Sequence, residues 1–185
     1  MPHASALDEA DRPRRPRRAD STATESGLVG QRTLVAVHQH LRAELARIQE
    51  VVEQVAEHGL DPERARDLVN RTTMRQNYWT LGAFCASYCR VVSVHHTIED
   101  VALFPTLRAA DDTLEPVLTR LGEEHEVIAG LLDSLDRVLV ELIAGRARPG
   151  DVRAATDELA ATLLSHLAYE EEELLDPIGE FSIVV

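Results

Sequence analysis

From residue 28 to about residue 178, apolar side chains recur every three to four positions, and only the final residues, FSIVV, read as anything other than helix. That period is the signature of amphipathic helices. Its punctuation predicts the elements. Helix one runs over 29–57 and stops at Gly59, and Asp61-Pro62, an N-cap followed by proline, opens a further helix with a break near Thr72-Thr73. Helix two runs over 74–108, bent or ended by Pro105, and Asp111-Asp112 makes a turn. Pro116 opens helix three, which reaches about residue 144. A loop from Gly145 to Gly150 follows, and Asp151 caps helix four, which ends before Pro177. Four long helices with short connections predict an all-α, antiparallel up-down-up-down four-helix bundle.

The phase of each stripe says which side chains face the interior. In helix one the stripe is Leu34, Leu41, Leu45, Ile48 and Val52. His38 lies within about 40° of its centre and His40 about 120° away, at 100° per residue, so His40 is read as a surface partner of Glu44. In helix two the stripe runs through Leu81, Phe84, Tyr88, Val91 and Ala102 and includes His95 and Glu99, with His96 and Asp100 off it. In helix three it is Leu114, Leu118, Leu121, Ile128, Leu132 and Leu139, and it includes His125. In helix four Val152, Leu159 and Leu163 are continued by His166 and Glu170.

Residues 1–27 have no such period and are rich in Pro, Arg, Asp, Ser and Thr, which predicts a disordered, solvated tail. The expected organisation is therefore a tail over 1–27, a bundle over 28–178 and a C-terminal tail over 179–185. FSIVV would cover an apolar seam or an oligomer contact. Five arginines in the first tail are matched by five acids, so the net charge of -13 belongs to residues 28–185. So acidic a domain repels phosphates, which argues against a nucleic-acid partner. No run approaches the roughly 18 apolar residues of a membrane span. All basic residues other than histidine are arginine, which excludes lysine Schiff-base and P-loop chemistry. Residues 12–18, RPRRPRR, are followed by ADSTATES rather than an apolar run, so export is not predicted. Cys85 and Cys89, four residues apart on a helix, suit a reduced, cytoplasmic protein better than a disulfide.

The candidate chemistry lies in two motifs, HHTIEDVALFP at 95–105 and HLAYEEEELLDP at 166–177, each with an H-x-x-x-E pair: His95 with Glu99 and His166 with Glu170. Members of such a pair share a helix face one turn apart. With 8 histidines and 19 glutamates in 185 residues, chance alone supplies about 0.8 such pairs, so depth must decide. His38 and His125 lie about 9 residues after their helix starts, and His95 and His166 about 10–13 before their helix ends. In an up-down bundle all four fall about 14–20 Å from one end. Ionisable groups gathered in one buried layer need a charge partner, and a metal centre supplies it. Four imidazoles and two carboxylates exceed one tetrahedral zinc and suit two metals with bridging carboxylates. Tyr88, two turns from His95 on the same face, is the candidate for a catalytic role beside the metals, with a satisfied core tyrosine as the competing reading. Tyr169 is a weaker version of the same case.

Together, His38, HHTIEDVALFP, the EEH at 123–125 and HLAYEEEELLDP resemble the hemerythrin-like, HHE cation-binding proteins, of an actinobacterial type, over about residues 30–178. The resemblance implies a non-haem di-iron centre, with manganese or zinc less favoured, that takes dioxygen, nitric oxide or peroxide as its small-molecule partner. It also implies that His38, His95, Glu99, His125, His166 and Glu170 are the ligands. Two positions depart from the oxygen carriers: Ala129 stands four residues after His125 where they have histidine, and position 171 is Glu where they have Asp. A site one histidine poorer argues against simple oxygen carriage and favours peroxide or nitric oxide chemistry, or a different asymmetry of the two irons. Glu171 is the alternative to Glu170, and stripe phase favours Glu170. A binding or sensing protein, a catalase-like or oxygen-using enzyme, and an interaction bundle with structural histidines are the function classes in play.

Overall fold

The computed structural model describes residues 6–16, 22–59 and 68–183; of residues 57–59, 68–80 and 84 it describes the backbone alone. The elements are α1 (Glu25–Gly59), α2 (Leu68–Ile98), a π-helical turn (Glu99–Leu103), α3 (Phe104–Ala110), α4 (Glu115–Ile143) and α5 (Pro149–Glu180). The long helices pack α1 on α5, α5 on α4, α4 on α2 and α2 on α1. That closed circuit is the antiparallel four-helix bundle that the periodicity predicts.

Local signals set most of the helix ends. Thr24 caps α1, its Oγ1 accepting the Gly27 N–H at 3.0 Å. Asp111 accepts the Thr113 N–H at 3.0 Å in the turn before α4, and Pro116 sits in the first turn of α4. Three boundaries differ from expectation. Helix α2 is continuous across Thr72-Thr73, and the start predicted at Asp61-Pro62 lies outside the described residues. Asp151 sits two residues inside α5, where its carboxylate accepts the Arg148 N–H at 2.8 Å, rather than at the N-cap. Helix α5 also continues through Pro177 to Glu180. Pro177 removes one helix hydrogen bond, but Pro177, Ile178 and Gly179 are buried against the start of α1. There a Cβ on Gly27 would overlap the carbonyl of Gly179, so the two glycines permit the helices to touch.

The termini differ from the expected tails. Residues 6–16 lie against α4 and α5, with Arg15 buried. Polar side chains on α4 and α5, among them Glu124, Thr162, Ser165, Tyr169 and Glu173, give that segment the partners its composition concealed. At the other end, Ile183 is buried and its N–H bonds to the Ile178 carbonyl at 3.1 Å, so the described part of FSIVV covers a seam of the bundle itself.

The core comes in two blocks. One holds Leu41, Leu45, Ile48, Tyr88, Val92, Ile128, Leu132, Leu159 and Leu163 among others; the second holds Leu34, Leu103, Phe104, Leu118, Leu121, Leu174 and Ile178. The chain passes from one block to the other at a histidine in three places, Leu34–His38–Leu41, Val92–His96–Leu103 and Leu121–His125–Ile128, and in α5 just beyond His166, between Leu167 and Tyr169. The histidine layer therefore sits between two aliphatic plugs. No described helix is long and apolar enough to cross a membrane.

Candidate metal centre

The stripe of α2 is rotated from the predicted one. Its buried positions are Leu81, Cys85, Tyr88 and Val92, while Val91 and Ala102 are exposed. The side chain of Phe84 lies outside the described residues. The rotation turns His96 inward, to 5% exposure. The π turn then inserts one residue into the helical repeat, so Leu103 and Phe104 rather than Ala102 return to the core. The same turn opens with Glu99, which is buried.

Two sets of ligand atoms converge, each within 4.8 Å: His96, His125 and His166 in one, and His38, His95, Glu99 and Glu170 in the other. All six residues singled out from the sequence are present. His96, assigned to the outside by stripe phase, joins them, so the layer holds five imidazoles rather than four. The doublets Phe84-Cys85, Val91-Val92 and His95-His96 are the signal that could have found it, because a stripe through the second members is as apolar as one through the first.

The two carboxylates span the sets. Glu99 Oε1 lies 3.1 Å from His95 Nε2, and its Oε2 lies 3.6 Å from His125 Nε2. Glu170 Oε2 lies 3.3 Å from His38 Nε2 and 3.8 Å from His166 Nε2. These separations allow attraction but are not aligned as hydrogen bonds. The Nε2 atoms of all five histidines and both oxygens of both glutamates are buried without a hydrogen-bond partner. Leaving one buried polar group unsatisfied costs about 1–3 kcal/mol, and nine in one layer form a donor surface that fits a cation.

The opposite ring nitrogens are supported. His38 Nδ1 lies 2.9 Å from Glu171 Oε1, which also accepts from Arg42 at 2.7 Å. His125 Nδ1 lies 2.9 Å from Asp100 Oδ1, and His166 Nδ1 lies 3.0 Å from Glu124 Oε2. A carboxylate on Nδ1 fixes the proton there and leaves the Nε2 lone pair free, the arrangement metal-binding histidines use. Glu170 thus faces the layer while Glu171 stands behind His38. Rings pack within the layer as well, His96 stacking on His125 at 4.0 Å between centroids.

Electrostatics favour neutral imidazoles at His95, His96 and His125. Burial pushes the His95 pKa down to about 4, with the neighbouring histidines adding to the shift against Glu170. Burial lowers His96 and His125 as well, again with repulsion from adjacent histidines. The two carboxyls diverge: burial and the facing Glu170 push Glu99 well up. Burial acts the same way on Glu170, but His38, His166 and His95 outweigh it and hold that carboxyl low. Neutral imidazoles and an ionised Glu170 suit a divalent metal, and Glu99 would give up its proton on binding one.

Other candidates fall elsewhere. The Tyr88 hydroxyl donates to the Leu41 carbonyl at 3.2 Å and is buried in the core block. The Tyr169 hydroxyl donates to the Pro13 carbonyl at 2.7 Å. His40 is exposed, and Glu44 pairs with Arg47 rather than with it. Burial raises Cys85 to about 12 and Cys89 to about 11, so both stay as thiols.

Neither the curated proteins nor the solved structures gave a match to the chain. A family profile did: residues 29–178 match the hemerythrin HHE cation-binding domain, spanning all four long helices and every residue of the histidine layer. The chain belongs to the hemerythrin HHE cation-binding family.

Proposed function

We propose that the protein holds two iron ions in the histidine layer and uses them to bind or reduce a small oxidant, with dioxygen, nitric oxide or peroxide as its ligand. The observation that supports this is the set of nine buried, unpartnered donor atoms divided between two groups, with Glu99 and Glu170 each reaching both. Five nitrogens and four oxygens do not fill two six-coordinate ions, so about three positions stay open for small ligands. His96, His125 and His166 would hold one ion, His38 and His95 the other, and the carboxylates would bridge. When bound, the metal pair would supply electrons to a diatomic or peroxide ligand. The chain's own residues fix the imidazoles through Glu171, Asp100 and Glu124, and the aliphatic blocks on either side of the layer exclude bulk water. A layer closed on both sides by apolar packing favours a small ligand over an organic substrate. With His96 in the layer the site is no longer one histidine poorer, so reversible binding and protection of other components from peroxide or nitric oxide are both roles open to it.

Metal analysis with an absorption spectrum of aerobically purified protein tests the reading. About two irons per chain and an oxo-bridged band in the near ultraviolet are expected. His95→Ala combined with His166→Ala removes one ligand from each group and should abolish iron binding while helix content by circular dichroism persists. Iron retained by that variant, or a wild-type chain that takes up none, overturns the assignment. Steady-state peroxide consumption by the loaded protein then separates an enzyme from a reversible binder.

A further inference from the structure

The three supported histidines differ in where their support comes from. Arg42, which backs Glu171 behind His38, lies one turn along the same helix, and Asp100 behind His125 is half-exposed on the π turn. Behind His166, Glu124 is 1% exposed, and its partner is Arg12, more than a hundred residues away and outside the matched domain. Arg12 forms a fork with both oxygens, Nε to Oε1 at 2.8 Å and Nη2 to Oε2 at 3.0 Å. Arg120 also reaches Oε1, at 3.3 Å. Among the described residues, Arg12 is the cation on Oε2, the oxygen that takes His166 Nδ1.

The segment carrying Arg12 is fastened on both sides. Before it, the Ala6 N–H donates to Thr162 Oγ1 at 3.0 Å and the Ser165 hydroxyl donates to Glu9 at 2.7 Å. After it, Pro13 accepts from Tyr169, and the Arg15 N–H donates to Glu173 at 2.8 Å. Arg12 itself donates to Ser165 Oγ at 3.0 Å and lies over the Tyr169 ring, 4.7 Å from its centroid. A planar fork held at this many points has one orientation, and it transmits that orientation to the carboxylate.

We propose that Arg12 is a positioning residue of the metal centre: through Glu124 it fixes the Nδ1 proton of His166 and aims Nε2 into the layer, which makes the N-terminal segment a working part of the site. This rests on the metal reading above. Without the fork, Glu124 is free to turn, and the imidazole behind it loses its fixed tautomer and direction. Loss of such an outer partner typically weakens metal binding about 10–100-fold.

Anaerobic titration of metal-free protein with ferrous iron, followed by the absorption spectrum after oxidation, tests the proposal. Arg12→Ala should weaken iron binding at least tenfold and alter the near-ultraviolet band. Arg14→Ala, which takes one cation away from Glu172 and Glu173 but leaves Glu124 untouched, should match wild type in both. In a Glu124→Ala background, adding Arg12→Ala should change affinity less than twofold, because the path runs through Glu124. Wild-type affinity in Arg12→Ala, or an equal loss with and without Glu124, overturns the proposal. If Arg12→Ala loses helix content, Arg12→Lys decides: it keeps the charge and loses the fork. A threefold or greater weakening that disappears in the Glu124→Ala background supports the proposal, and wild-type affinity overturns it. A wild-type chain that takes up no iron fails at the metal reading itself, which is a separate outcome from a loaded wild type beside an equally loaded Arg12→Ala.

Discussion

Replacing Glu99 by leucine should move the metal-free and metal-loaded proteins in opposite directions. Glu99 is 1% exposed, neither of its oxygens has a hydrogen-bond partner, and it faces a second buried carboxyl. In the metal-free fold it contributes desolvation and repulsion with little return. An apolar side chain of similar size removes an unsatisfied buried group worth about 1–3 kcal/mol. For a chain of this length each kcal/mol shifts Tm by about 2–4 °C, so the metal-free variant should melt about 2–12 °C above metal-free wild type. With iron the order reverses. A ligand at a thousand times its Kd adds about 4 kcal/mol to the state that binds it, and the variant, lacking an oxygen donor to each ion, should lose most of that gain. Calorimetric melts in chelator and in ferrous iron measure both arms. A variant that melts below wild type in chelator, or that keeps the full iron-dependent rise, would refute the claim that Glu99 is a strained, metal-directed group.

The metal-free protein should lose stability as pH falls from about 7 to 5. Unfolded imidazoles take up protons near pH 6.5, whereas in the fold His95 does so only near 4 and His96 and His125 are likewise lowered. Between those values the unfolded state binds more protons and acid favours it. His95 alone accounts for about 3 kcal/mol over its full range. The Glu99→Leu background removes the raised carboxyl, which acts in the opposite sense, and a flat denaturant midpoint from pH 7 to 5 in that background would contradict the argument. Tyr88→Phe should cost about 0.5–1.5 kcal/mol through the lost bond to Leu41 and leave iron affinity and spectrum unchanged; a shifted band would instead place Tyr88 at the site.

Much of the molecule is legible in the chain. The 3.6 period locates α1, α4 and α5, and their predicted stripes are the buried residues found. The same phase argument turns His38, His125, His166 and Glu170 inward, because helical geometry is local and each residue's direction follows from its neighbours' spacing. Tertiary structure decided the remainder. Sequence spacing leaves adjacent apolar pairs such as Val91-Val92 undecided, and the packing of α2 against α1 and α4 chose the second member and brought His96 in with it. The π turn reset the phase after Glu99, which no single-period reading anticipates. That Glu99 and Glu170 each reach both groups of imidazoles depends on four helices meeting at one depth. The N-terminal segment reads as a solvated tail because it has no periodicity and no net charge. Its partners, Glu124, Ser165, Tyr169 and Glu173, lie more than a hundred residues away, and hydrogen bonds of that range leave no trace in local pattern.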